Sequence, residues 1–123
     1  MHVVRVSDSP EQRANRPIFV GEVYSRPLID AATSPAVTVG LVRFVDGAKN
    51  HPHIHSADQI LYITEGAGIV GGPEGDNAVL AGDIVHFPAG EVHWHGAREG
   101  HHMAHLSILP PCETTVLEPG AGG

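Results

Sequence analysis

Glycine and proline divide the chain into apolar segments that are too short to form helices of ordinary length. Segments rich in β-branched residues recur at short, even intervals, and fifteen glycines and ten prolines supply the turns between them. No segment has the 3.6-residue spacing of apolar side chains that a helix needs. This pattern predicts an all-β sandwich or barrel. With 123 residues, the chain is long enough for a single domain with its own core.

The segments predict eight or so short strands after an irregular lead over residues 1–17. Expected strands, the first of them within that lead, are Val3–Val6, Ile18–Tyr24, Val37–Val45, Asp58–Glu65, Ala67–Val70, Ala78–Leu80, Asp83–Phe87, Val92–Ala97, Met103–Leu109 and Thr114–Leu117. Glu65-Gly66 is expected to turn the chain back on itself, and 71–77 has the composition of a hairpin loop. Both faces of the strand at 58–65 are largely apolar, so we expect both to be covered. Residues 118–123 are expected to be peripheral and frayed.

Histidines are concentrated in the middle of the chain, with nine of the ten between positions 51 and 105. His51, His53 and His55 alternate, so in a strand they project to one face, and His93 and His95 repeat the arrangement. A lone histidine on a strand is more often a surface or hydrogen-bonded residue than a ligand. Two such pairs, each bracketed by glycines, favour a role as metal ligands, because neutral imidazole is the commonest metal ligand. The sequence therefore predicts a metal site, with Gln59 near enough to contribute.

Charge and cysteine content exclude several classes of partner. Seven Lys and Arg oppose fourteen Asp and Glu, which gives a formal charge of −7 and disfavours nucleic acid and anionic membranes as partners. No apolar run is long enough to span a membrane, and no basic-then-apolar signal pattern begins the chain. Cys112, the sole cysteine, cannot form an internal disulfide, so a cytoplasmic location is expected. We assign Cys112 no catalytic role.

Two glycine-framed motifs surround the histidine pairs. The first, Gly-x5-His-x-His-x3-Gln-x6-Gly, consists of Gly47, His53, His55, Gln59 and Gly66. The second, Gly-x5-Pro-x-Gly-x2-His, consists of Gly82, Pro88, Gly90 and His93. In both motifs the chain resembles the cupin superfamily, with Gln59 where a Glu is usual and Ala97 where an Asn is usual. The resemblance implies a double-stranded β-helix, or jelly roll, as one cupin domain over 1–123, with motifs at 47–66 and 82–97.

The resemblance also implies the site residues. By it, the metal ligands are His53, His55, Gln59 and His93, and His51 is a rim or outer-shell residue. Within the superfamily, Gln59 and the segments 93–97 and 103–106 resemble small single-domain bacterial cupins that include manganese-dependent (R)-selective hydroxynitrile lyases. In that group the histidine matching His105 is the proposed general base, and those lyases carry a Lys where this chain has Val92.

A site of three imidazoles and one amide has a defined chemistry. Neutral donors leave the full +2 charge of a divalent ion uncompensated, so the ion is a strong Lewis acid. Nitrogen and oxygen donors without thiolate suit Mn, Fe, Ni, Co or Zn. The resemblance to manganese-dependent lyases favours Mn, and a dioxygenase would favour Fe. His105 or His95 could then take a proton from the substrate. We expect inward residues to form a cavity for a small, partly apolar or aromatic molecule: Leu61, Ile63, Val85, Phe87, Trp94 and Met103. For Trp94, the position between two inward histidines favours the opposite face of the strand.

Three functions remain open at this point. The first is a metal-dependent lyase that breaks a bond beside a metal-bound oxygen, and the second is a dioxygenase. The third is a non-catalytic module that binds a metal or small ligand. The fold cannot decide, because one fold carries many activities. The resemblance also implies a homodimer, since cupins commonly form dimers, and the apolar outer strand face at Ile60 and Tyr62 is compatible with one.

Overall fold

A computed structural model describes residues 1–117 and confirms an all-β fold. In the described residues, helical structure is limited to one 3₁₀ turn, Val6–Asp8. Twelve strands make up the rest: β1 (Gln12–Arg13), β2 (Phe19–Val20), β3 (Val23–Ile29), β4 (Thr38–Phe44), β5 (Lys49–Asn50), β6 (His53–His55), β7 (Gln59–Gly72), β8 (Gly75–Leu80), β9 (Ile84–Phe87), β10 (Trp94–Ala97), β11 (Met103–Leu109) and β12 (Thr114–Val116). None of the helical structure in 1–117 has the length and hydropathy that a bilayer crossing requires.

Strand β7 joins two antiparallel layers into one curled sheet. In the first layer the strand order is β1-β3-β4-β11-β7-β9, and in the second it is β2-β5-β10-β7-β8. A separate two-stranded ribbon pairs β12 with β6, so that Thr114 lies opposite His55. The curl places the inner faces of both layers around one core, which includes Phe44, Leu61, Ile63 and Met103.

The expected turn at Glu65-Gly66 is wrong, because β7 is one continuous strand of 14 residues. Gly66 has a φ of 78°, and a Cβ there would overlap the carbonyl oxygen of His102. A glycine permits a turn, but it equally permits a bend in the strand and a close approach to the neighbouring strand. The pairing of β7 with β11 shifts by one residue between Ala104 and His105, as at a β-bulge. The bend carries β7 from one layer into the other.

Burial alternates along the first half of β7. Gln59, Leu61 and Ile63 are buried, whereas Ile60 is 40% exposed and Tyr62 is 41% exposed. The expectation that both faces of this strand are covered is therefore wrong for the single chain. The inner face contributes to the core, and the outer face lies open.

The first thirty residues differ most from expectation. The strand expected at Val3–Val6 is absent from the described residues, and the one expected at Ile18–Tyr24 is divided into β2 and β3 around Gly21, whose φ is 91°. The positive φ breaks the strand, because it does not continue the extended conformation. The predicted hairpin loop at 71–77 is reduced to a turn at Pro73-Glu74. The fraying expected for 118–123 lies outside the described residues.

Candidate metal centre and cavity

Three of the histidines converge at one end of the sheet. His53 and His55 occupy alternate positions of β6, which sends both side chains inward, and both are buried. His93, just before β10, is joined to His53 by two backbone hydrogen bonds of 2.9 and 3.0 Å. One ligand atom from each of the three rings lies within 4.8 Å of the other two. Two histidines of a short strand thus meet a third that a backbone bridge fixes opposite them.

Hydrogen bonds fix which ring nitrogen of His53 and of His93 is free. Nδ1 of His53 donates to the carbonyl oxygen of His51 at 2.7 Å, and Nδ1 of His93 donates to that of Glu91 at 3.0 Å. A carbonyl can only accept, so Nδ1 carries the proton and Nε2 has a free lone pair. Nδ1 of His55 lies 2.9 Å from Oγ1 of Thr114, while its buried Nε2 has no hydrogen-bond partner in the described part of the chain. Metal-binding imidazoles are held in this way.

The three imidazoles are neutral at neutral pH. Burial lowers the pKa of His53 to about 4 and that of His93 to about 4. Burial also lowers the pKa of His55, against a weaker opposite effect of the neighbouring Gln59 side chain. Metal ligands must be deprotonated, so this environment prepares the lone pairs for an ion. The trio can hold a divalent metal.

Gln59 begins β7 beside this trio and is itself buried. Its Nε2 donates to Oγ of Ser107, on β11, at 2.9 Å, so that Oε1 faces the histidines. Oε1 lies 3.1 Å from Nε2 of His93. The group is therefore three imidazole nitrogens and one amide oxygen, a neutral donor set that fits first-row divalent metals.

His95 and His105 lie deeper, next to the trio. His95 (β10) and His105 (β11) have ring centroids 4.8 Å apart, and both pack against the ring of Phe44. Asn50 holds His95 on two sides, since its Oδ1 accepts the His95 backbone N–H at 2.8 Å and its Nδ2 lies 3.2 Å from the ring Nε2. His105 is wholly buried, and neither ring nitrogen has a hydrogen-bond partner among the described residues.

The same burial keeps these two rings uncharged. Burial lowers the pKa of His105 to about 4 and that of His95 well below its ordinary value, with the neighbouring His105 as a further cause for His95. Both rings can accept a proton from a molecule in the adjoining space. His105 is the better placed of the two, because its lone pair is engaged by no protein group.

A cavity of about 430 Å³ opens over these residues. Its buried end is formed by polar side chains: Asn50, His53, His55, Gln59, His95, His105 and Ser107. Its walls and mouth are formed by Arg16, Pro17, Ile18, Phe19, Thr38, Val42, Leu109, Pro110, Pro111, Cys112 and Thr114. His93 lies behind this surface, with its ring stacked on that of Phe87 at 3.8 Å.

The apolar residues expected to line the cavity do not line it. Leu61, Ile63, Phe87 and Met103 fill the core instead, and Val85 packs against it. Trp94 lies on the opposite face of β10, with its ring 5.6 Å from the ammonium of Lys49. The walls come instead from two segments, 16–19 and 109–112, that cross the mouth. Segment 16–19 lies more than thirty residues before His53, and neither segment carries a local signal that it covers the histidines.

The remaining histidines lie apart from the cavity floor. His51 contributes its carbonyl oxygen to the ring of His53, in keeping with an outer-shell role. His86 is exposed and lies 2.8 Å from a carboxylate oxygen of Asp58. His101 and His102 are exposed, as expected of a turn.

Known proteins resemble this chain in sequence and in fold. The cupin domain family matches residues 40–109. An (R)-mandelonitrile lyase of Granulicella tundricola is 34% identical over 109 residues, which are 88% of this chain and 83% of that enzyme. A cupin-like protein of Thermotoga maritima is 28% identical with a TM-score of 0.78, over 88% of this chain and 86% of that one. The polyketide cyclase RemF of Streptomyces resistomycificus, 20% identical, has a TM-score of 0.81 over 98% of this chain and 89% of its own.

Proposed function

This chain belongs to the cupin family, and from that premise we propose that it is a metal-dependent lyase that cleaves a small cyanohydrin into an aldehyde and hydrogen cyanide. The substrate class follows the name of the relative from Granulicella tundricola, since mandelonitrile is the cyanohydrin of an aromatic aldehyde. The polar floor and apolar walls of the cavity suit a molecule with one hydroxyl and an aromatic or aliphatic body.

One observation carries the proposal. His105 is wholly buried at the cavity, and neither ring nitrogen has a partner in residues 1–117. Burying an unsatisfied polar group costs free energy that selection removes unless the group has a use. A base that must receive a proton from a bound substrate needs a free lone pair of this kind.

We assign the metal to His53, His55, His93 and Gln59, whose free donor atoms share one space. A divalent ion there, with manganese or iron favoured, supplies Lewis acidity toward a substrate oxygen. Because Gln59 replaces a carboxylate, the protein donors leave the charge of the ion at +2, which strengthens that acidity.

The protein residues then account for the proton transfers. His105 accepts the proton of the substrate hydroxyl, the C–O bond becomes a carbonyl, and the C–CN bond breaks with its electron pair on cyanide. The imidazolium is destabilised by burial, which lowers the pKa of His105 to about 4, so it returns the proton readily to the departing cyanide. Asn50 holds His95 beside it, as a second acceptor. Atoms and charge balance, and no oxidant is consumed.

The test is turnover of racemic mandelonitrile by protein reconstituted with Mn(II), Fe(II) or Zn(II) in an oxygen-free cell. We expect benzaldehyde release with one enantiomer depleted, and a loss of about 10²–10⁴ in rate for His105→Ala at unchanged metal content. His101→Ala, an exposed histidine, is the matched control. A requirement for oxygen would favour a dioxygenase, and no turnover with any metal would favour a binding module; either result contradicts the proposal.

A further inference from the structure

The cavity has a charge opposite to that of the chain. The protein carries fourteen Asp and Glu and a formal charge of −7, yet among residues 1–117 no carboxylate lines the cavity. Its floor is built of neutral histidines, Gln59 and Asn50. Its one Lys or Arg in the described residues is Arg16, at the mouth. A site without negative charge, and with a guanidinium at its entrance, favours an anionic molecule.

Arg16 is presented by a short turn that is tied to the histidine segment. The Phe19 N–H donates to the Arg16 carbonyl at 3.1 Å, and Pro17 restricts the second position of this turn. Ile18 accepts the backbone N–H of His51 at 2.7 Å, which anchors the turn two residues before His53. The guanidinium carbon lies 5.5 Å from the centroid of the Phe19 ring, another cavity residue. Arg16 is thus aligned along the cavity wall.

The charge of Arg16 has no carboxylate partner within the described part of the chain. Arg13 pairs with Glu22, and Arg26 and Arg43 both pair with Glu11. Arg16 makes no such contact within 4.0 Å among residues 1–117. It is exposed, so its charge is retained at little desolvation cost until a ligand arrives.

The exposure of the lining residues increases from the floor of the cavity to its mouth. His105 and His53 are the buried end, Phe19 and Val42 are half-buried on the wall, and Arg16 is exposed. A molecule whose hydroxyl lies at the floor therefore directs its other end toward the guanidinium. Arginine binds a carboxylate through two parallel N–H donors, which suits a flat terminal anion.

We infer that the preferred substrate carries a carboxylate at the end remote from the hydroxyl, and that Arg16 binds this carboxylate. The cyanohydrin part of this statement rests on the proposed function, whereas the carboxylate part rests on Arg16 and the absence of acidic residues from the described cavity lining. The substrate class is then the cyanohydrin of an aldehyde that bears a carboxylate.

Two aldehydes test the inference by binding alone. 4-Formylbenzoate and 4-nitrobenzaldehyde have the same shape, but only the first is charged. We expect calorimetry on the manganese-loaded protein to give roughly three- to tenfold tighter binding of 4-formylbenzoate at low salt, and a smaller difference at high salt. Arg16→Gln should remove the difference, and Arg98→Gln, at an exposed arginine outside the cavity lining, should keep it. Equal binding, or a preference that survives Arg16→Gln because the anion reaches the floor, overturns the inference.

Turnover separates this inference from the proposed function. The cyanohydrins of the two aldehydes should differ in kcat/KM in the same direction and lose that difference in Arg16→Gln. If neither is cleaved while the binding preference remains, the lyase proposal fails and carboxylate recognition stands. If both are cleaved equally and bind equally, the lyase proposal stands and the role of Arg16 is excluded.

Discussion

Oε1 of Gln59 lies 3.1 Å from Nε2 of His93, and the two atoms face each other as acceptors. The carbonyl of Glu91 holds the His93 proton on Nδ1, and Ser107 holds the amide of Gln59 so that its oxygen points inward. Two lone pairs at this distance repel each other unless a cation lies against both. With the amide in this orientation, the contact suits a divalent cation held between the two atoms.

Gln59→Glu should tighten metal binding and slow the proposed reaction. A carboxylate adds a full negative charge against the ion, so we expect release to a chelator to slow by about tenfold or more. Turnover should fall because the net charge of the centre drops from +2 to +1. Gln59→Ala is the matched control and should bind metal more weakly than the wild type. Equal retention in all three proteins would exclude residue 59 as a ligand.

His105→Leu should make the metal-free protein more stable and the loaded protein inactive. The substitution removes two buried ring nitrogens that have no hydrogen-bond partner, so we expect the free energy of unfolding to rise by about 1–2 kcal/mol. Urea unfolding measures the first effect and cyanohydrin turnover the second. The exposed His101→Leu should change neither. A destabilised His105→Leu would mean that the imidazole has a partner that stabilises it.

Stability of the metal-free protein should fall as the pH is lowered from about 6.5 to about 4, the range between the ordinary pKa and the pKa of buried His53, His93 and His105. Burial lowers these pKa values, so within that range the unfolded chain binds more protons than the folded one. The free energy of unfolding is then constant above the range, decreases as the pH falls through it by up to about 3 kcal/mol for each group, and is constant again below it. Urea titrations of chelator-treated protein at several pH values measure this slope. It should be shallower in His105→Leu, and a flat profile would contradict the burial of these rings.

Gly66→Ala should be far more destabilising than Gly100→Ala. Both glycines have a φ of 78°, so both substitutions impose the same backbone strain. Only at Gly66 would the new Cβ also overlap the carbonyl of His102, whereas at Gly100 no atom lies within 4 Å. We expect a cost of about 1 kcal/mol at Gly100 and several times that at Gly66. Similar costs from urea unfolding would show that β11 can move away from β7.

The convergence of His53, His55 and His93 could be predicted because it depends on local patterns. Alternation places His53 and His55 on one strand face, and motif spacing relates them to Gln59 and His93. The limits of β11, Met103–Leu109, were also correct, because this largely apolar segment is bounded by a glycine turn before it and a proline after it. These features need no knowledge of distant neighbours.

The cavity could not be predicted in the same way. Alternation shows that Leu61 and Ile63 point inward, but inward side chains either fill the core or face open space, and only the full packing decides which. The residues that cover the mouth, from Arg16 to Phe19 and from Leu109 to Cys112, reach it through long-range contacts. Gly66 illustrates the same limit, since a glycine permits a turn and a bend equally.

The carbonyl acceptors of the candidate metal site bear on how this sequence can change during evolution. The protons of His53 and His93 are each donated to the main chain two residues earlier, at His51 and Glu91. Every amino acid has that carbonyl, so substitutions at positions 51 and 91 leave the ligand tautomers intact. Nδ1 of His55 is held instead by the side-chain hydroxyl of Thr114. Residues 51 and 91 can therefore change without loss of these hydrogen bonds, whereas position 114 is restricted to residues whose side chain can hydrogen-bond to Nδ1 of His55.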